Sequence, residues 1–223
     1  MSDTSQHWQQ MREQVPESVE LVAVSKFHPA SQLLAAYEAG CRDFGESRVQ
    51  ELCAKHEVLP KDIAWHFIGH LQPNKVKYIA PFVSLIHAVD TPKLLTEIHK
   101  RGLQNDRSIP CLLQVHIAQE ETKFGFTPEE LSAFLAEGSW RELHGVSIRG
   151  LMCMATNTDD MLQVRQEFLR VSNLFQDLKQ RFFADDPEFA IRSYGMSHDW
   201  REAVSEGSNM VRIGTAIFGE RTV

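Results

Sequence analysis

The sequence predicts an α/β protein, a single-domain (β/α)8 TIM barrel over residues 1–223, with one extra helix ahead of the first strand. Three observations point there. Eight short apolar runs recur, and their hydrophobicity is near-continuous rather than alternating, as in parallel strands covered by helices. Helix-like segments lie between these runs, and strand–helix alternation is the pattern of a parallel sheet. A length of 223 residues suits one such barrel. A doubly wound open sheet is the alternative, because periodicity does not prove closure. Against it, the first strand is followed by neither G-x-G-x-x-G nor G-x-x-x-x-G-K-[ST].

In chain order, residues 3–14 form the extra polar helix. The strands are LVAVS (21–25), RDFG (42–45), AWHFIG (64–69), SLIHAV (84–89), PCLLQVHI (110–117), SIRGLMCM (147–154), AIRSYG (190–195) and MVRIG (210–214). Helices include PASQLLAAYEAG, TPKLLTEIHKRG and TPEELSAFLAEG. The last two open on Thr-Pro, an N-cap residue followed by proline at the first helical position. Thr127 has Glu130 three residues on, as a capping box requires, and Gly102 and Gly138 mark helix ends. The longest helix covers 159–183, with Asp159-Asp160 at its N-terminus. Leu162, Phe168, Leu169, Leu174, Phe175 and Leu178 supply its apolar stripe.

Composition narrows the function. With 43% hydrophobic and 24% charged residues, the chain is an ordinary globular protein. A formal net charge of −7 argues against nucleic acid or an anionic membrane as its partner. There is neither a run of about 18 apolar residues nor a signal-peptide core, so a cytoplasmic protein is expected. Cys41, Cys53, Cys111 and Cys153 are far apart and read as reduced thiols in or near the core.

Chemistry in barrels sits at the C-terminal strand ends, and Lys26 directly follows the first strand. Apolar walls penalise the charged form of a lysine and free its amine to attack a carbonyl, although a snorkelling lysine at a strand edge would look the same. After the last strand, Gly214 and Thr215 open a short helix whose amides and hydroxyl suit a phosphate. Ser197, in the loop SYGMSHDW after strand 7, either caps the next helix or bonds the same phosphate. Arg212 lies two residues before Gly214 and faces the same mouth. A lysine for an electrophile, a phosphate cradle and an arginine together suit pyridoxal 5′-phosphate. Elsewhere, His66 and His70 fall on a strand end and loop, so no zinc pair is expected. Lys123 in KFGF lies at the mouth or in a solvated loop, and Met152-Cys153-Met154 is core, with one side chain available beneath a ring.

The motifs AVSK (23–26), FGESRVQE (44–51), WHFIGHLQPNK (65–75), KFGF (123–126), RGLMCMA (149–155), SYGMSHDW (193–200) and GSNMVRIGTAIFGER (207–221) resemble the YggS/PROSC family of pyridoxal phosphate homeostasis proteins. The resemblance runs from about residue 20 to 221 and implies a fold type III barrel like that of alanine racemase. It implies a Schiff base from Lys26 to the cofactor, with Ser197, Gly214 and Thr215 on the phosphate and Arg212 at the ring nitrogen. A cation there disfavours protonation of the pyridine and weakens the ring as an electron sink, so the cofactor is held more than used.

Five positions depart from the family pattern: Ser47 for asparagine, Tyr194 for methionine, His70 for proline, His116 for asparagine and His28 for lysine. None touches the lysine, the Gly-Thr pair or the arginine. They bear on second-site ligand behaviour. The expected function is cofactor carriage and vitamin B6 homeostasis in a monomer, with pyridoxal phosphate-dependent apo-enzymes as recipients. Two alternatives stand beside it: a fold type III racemase or decarboxylase, and a class I aldolase-like barrel using Lys26 on a sugar phosphate. Only nine residues follow Gly214, so the second domain of the racemases, and with it racemase activity, is not expected.

Overall fold

The computed structural model describes residues 3–118 and 124–220. In chain order it runs α1 (Asp3–Gln14), β1 (Glu20–Val24), α2 (Ala30–Glu38), β2 (Asp43–Glu46), α3 (Val49–Val58), β3 (Ala64–Phe67), α4 (Val76–Ile79), β4 (Leu85–Val89) and α5 (Pro92–Gln104). It continues β5 (Ile109–His116), α6 (Pro128–Glu137), β6 (Val146–Met154), α7 (Met161–Phe182), β7 (Ile191–Ser193), α8 (Trp200–Ser205), β8 (Met210–Ile213) and α9 (Thr215–Phe218). The eight strands pair in parallel in sequence order, and β1 closes the barrel on β8 with Val22 opposite Arg212. Closure excludes the open sheet.

Two clusters form the core. The larger lies between strands and helices; the smaller, Val22, Leu85, Leu112, Met152 and Met210, fills the barrel itself. Alternation along each strand sets the same inward face for His87, Gln114, Ser193 and Arg212, two residues on from Leu85, Leu112, Ile191 and Met210. The interior therefore carries polar groups above an apolar layer.

Local signals hold where caps decide them. Thr127 and Glu130 form the reciprocal capping box, Thr91 caps α5, and Gly138 ends α6 in the left-handed conformation. Asp160 caps α7, accepting from the amides of Leu162 and Gln163. Three expectations need correction. Gly102 does not end α5, which continues to Gln104. Its hydrogen is needed for close approach instead, because a Cβ there would stand 1.9 Å from the Gly145 carbonyl oxygen. Leu162 and Leu169 are exposed, since α7 turns Val164, Glu167 and Val171 inward with Phe168, Phe175 and Leu178. Buried Glu167 is satisfied by Thr156 N and Oγ1 and by Gln163. Third, β3 and β7 end earlier than their apolar runs, at Phe67 and Ser193, where the chain leaves the sheet to form the mouth. Among the described residues, no helix is long and apolar enough to cross a membrane.

Candidate functional site

Lys26, Ser197, Arg212, Gly214 and Thr215 all line one cavity of about 280 Å³ at the C-terminal mouth of the barrel. Val24, Ile68, Met152 and Met154 give it apolar walls, and Ser47, His70, His28 and Gln114 add polar groups. Lys123 lies outside the described residues.

The turn that carries Lys26 is held from behind. Phe27 adopts φ 69°, a left-handed conformation that costs a non-glycine residue roughly 1–3 kcal/mol and clusters at functional sites. Its amide donates to Glu51 Oε1 at 2.6 Å. Lys55 Nζ donates to the same oxygen at 2.7 Å, to Glu46 Oε1 at 2.6 Å and to the Ser25 carbonyl at 2.8 Å. Ser25 Oγ donates to Glu46 Oε1 at 2.6 Å. Burial pushes the Glu46 pKa up, and Lys55 opposes that rise. One buried ammonium thus ties α3, β2 and the β1 turn together, directly behind Lys26.

At the other wall, β8 ends on Ile213, and Gly214 follows it at the N-cap position of α9. A Cβ at Gly214 would stand 3.0 Å from the Val24 carbonyl oxygen, a tight contact, so a larger residue here would press the β1 and β8 ends apart by a few tenths of an ångström. Gly214 N donates to Ser197 Oγ at 3.3 Å, bringing the loop after β7 onto the start of α9. Ser197 is not the cap of α8; Asp199 takes that position and accepts from Met196 N. His28 hydrogen-bonds Gln32 and stacks on Phe218 of α9, with ring centroids 5.1 Å apart.

Arg212 is buried. Its Nη1 donates to Ser193 O and Oγ, each at 2.6 Å, and its Nη2 to Cys153 O at 2.9 Å. Burial lowers its pKa from the ordinary value, while Cys153 and Asp199 pull it back up. The guanidinium stays a cation, held by three acceptors on one side and bordering the cavity on the other.

Of the five departures from the family pattern, Ser47, His70 and His28 line the cavity. His70 pairs with Asp90 at 2.7 Å and stacks on Phe124, while Tyr194 is buried against Phe168. His66 and His70 take different partners, His66 facing the barrel interior. Cys153 belongs to the outer core, and Met152 and Met154 are the members of that run that reach the cavity. Sequence reasoning missed Gln114, whose Nε2 donates to Phe124 O, and the Lys55 cluster. The two glutamates of FGESRVQE, five apart around a turn, were the available signal for that cluster.

A family profile described as alanine racemase, N-terminal domain, matches residues 2–222. The pyridoxal phosphate homeostasis protein of Aquifex aeolicus is 39% identical over 202 residues, covering 90% of this chain and 86% of the relative. The structure of PipY from Synechococcus elongatus with PLP bound is 36% identical, covers 97% of this chain and all of that one, and superposes with a TM-score of 0.88. Alanine racemase from Bartonella henselae shares the fold alone: 17% identity, TM-score 0.71, 98% of this chain and 59% of that chain. This chain therefore belongs to the alanine racemase N-terminal domain family, among the pyridoxal phosphate homeostasis proteins.

Proposed function

We propose that this chain, as one barrel unit over residues 1–223, binds pyridoxal 5′-phosphate at the mouth and serves its homeostasis, without turnover. The observation that carries the reading is the convergence of Lys26, Arg212 and the Ser197–Gly214–Thr215 corner on one cavity. The residues fit the group. Lys26 Nζ would take the aldehyde carbon with loss of water, the Gly214 corner the phosphate, and Arg212 the pyridine nitrogen. The volume, about 280 Å³, falls just below the usual range of small-molecule sites, roughly 300–1,000 Å³, as suits a compact cofactor. When bound, the cofactor supplies an electron sink, and an arginine beside its ring nitrogen weakens that sink by disfavouring ring protonation. This favours carriage over racemisation or decarboxylation. The names of the relatives and the bound group of PipY support the same reading. The proposal extends to a cytoplasmic monomer that passes the cofactor to pyridoxal phosphate-dependent apo-enzymes and engages neither membrane nor nucleic acid.

The test is the visible absorption spectrum of the purified protein before and after borohydride, beside Lys26→Ala. A visible band that borohydride removes and the variant lacks, with the reduced adduct mapped to Lys26 by mass spectrometry, is expected. A colourless protein that added pyridoxal phosphate fails to reconstitute would sink the reading and return Lys26 to an aldolase-like role.

A further inference from the structure

Beneath the cavity, the barrel interior holds a polar chain that the proposed cofactor contacts leave unexplained. Arg212 Nη1 donates to Ser193 Oγ at 2.6 Å, and Ser193 Oγ lies 3.0 Å from His87 Nδ1. His87 Nε2 lies 2.9 Å from His66 Nδ1, and His66 Nε2 lies 3.2 Å from Asp43 Oδ1. These groups come from β8, β7, β4, β3 and β2, so the chain crosses the barrel from the cavity to the N-terminal end of β2. Arg212, Ser193, His87 and His66 are each at most 3% exposed, while Asp43 reaches solvent.

The two ends fix the direction of every link. A guanidinium only donates and a carboxylate only accepts. Ser193 Oγ accepts from Arg212, and among the described contacts His87 Nδ1 is the one acceptor open to the hydroxyl, so its proton goes there. His87 then carries its proton on Nε2 and donates to His66 Nδ1, and His66 donates from Nε2 to Asp43. With both rings neutral, each proton has one acceptor and both imidazoles are Nε2–H tautomers. A proton added to either ring sets donor against donor or strands the serine hydroxyl, both costly in a buried site. Burial above all holds the His87 pKa well below its ordinary value, in agreement with that neutral form.

We propose that Ser193, His87 and His66 are positioning residues for Arg212, and that this one-directional chain, anchored at Asp43, sets which edge of the guanidinium faces the cavity. The inference rests on the reading of that cavity as the pyridoxal phosphate site. Two backbone carbonyls alone would hold the plane of the guanidinium; the serine hydroxyl, itself orientated by His87, removes the remaining choice. Interior residues far from the cofactor thereby tune the group at its ring nitrogen.

Two measurements test this. Imidazole 15N NMR on the cofactor-free protein at neutral pH should show His87 and His66 as neutral Nε2–H tautomers. A His66 Nδ1–H tautomer, the form that a cation held by Asp43 and Glu20 would impose, overturns the chain. The second measurement is pyridoxal phosphate titration of Ser193→Ala, His87→Gln and Asp43→Ala. Ser193→Ala should bind about tenfold more weakly, the loss of a hydrogen bond to a charged group, with a shifted visible band. His87→Gln, which keeps one donor and one acceptor, should restore most of the wild-type spectrum. Asp43→Ala, at the solvent-reaching end of the chain, should shift the band in the same direction by less. Wild-type bands and affinities in both alanine variants would refute the positioning role. If the wild-type protein binds no pyridoxal phosphate, the site reading fails and the positioning role with it, while the tautomers still report whether the chain exists.

Discussion

Lys55→Met tests the cluster behind the Lys26 turn, because it removes one charge and keeps an unbranched side chain only one heavy atom shorter. Lys55 Nζ is the partner of the fully buried Glu46, and its side chain is 7% exposed. Breaking a buried pair from one side costs about 3–5 kcal/mol, since the remaining charge is left uncompensated. Protonation limits that cost. Neutralising a carboxylate with an ordinary pKa of 4.5 at pH 7 takes about 2.5 units, or about 3.4 kcal/mol. The expected destabilisation is therefore about 3–4 kcal/mol at pH 7. The sign with pH follows. Glu46 already has a raised pKa in the folded protein, and losing Lys55 raises it further. Between 4.5 and that folded value the native state binds more protons than the unfolded one, so stability falls as pH rises. Once the pH passes the wild-type folded value, the gap between variant and wild type should widen by up to about 1.4 kcal/mol per pH unit, so it is larger at pH 7 than at pH 5. Urea denaturation followed by tryptophan fluorescence at the two pH values measures it. Lys55→Met/Glu46→Leu should regain most of the loss, as paired removal of buried ions often does. A destabilisation below about 1 kcal/mol at pH 7, or one that does not change with pH, would refute the reasoning, because that is the worth of an exposed pair.

Two further outcomes follow from packing. Gly102→Ala sets a Cβ 1.9 Å from the Gly145 carbonyl oxygen, a backbone atom, so it should destabilise by about 1–3 kcal/mol in a thermal melt despite the better helix propensity of alanine. All four cysteines are free thiols; Cys41, Cys111 and Cys153 are buried, and burial raises the Cys111 and Cys41 pKa values well above the ordinary range. A disulfide-exchange reagent should modify the half-buried Cys53 first in the native protein and the other three only on unfolding.

The parts that were legible were those decided by neighbours in the chain. Thr127 with Glu130, Thr91 with Pro92 and Asp160 before α7 place helix starts because a cap reaches only three residues. Leu162 and Leu169 misled because an apolar stripe shows that a helix has a buried face, not how far that face extends round it. His87, inside the run SLIHAV, has nothing in its own segment to separate it from a core histidine; its partner Ser193 lies 106 residues away. Lys55 looked like any lysine on a helix, and its acceptors on Ser25 and Glu46 come from two earlier strand ends.

The sequence by itself determined the order of eight strands and their helices, and the strand ends bearing Lys26, Arg212 and Gly214-Thr215, because hydrophobic period and local turn chemistry are short-range. Only the tertiary structure decided that the sheet closes and that one cavity gathers those strand ends. It alone decided that an arginine, a serine, two histidines and an aspartate from five strands form one chain of hydrogen bonds. The physical reason is that a buried polar group must find its partner wherever the closed barrel brings one, at any separation along the chain.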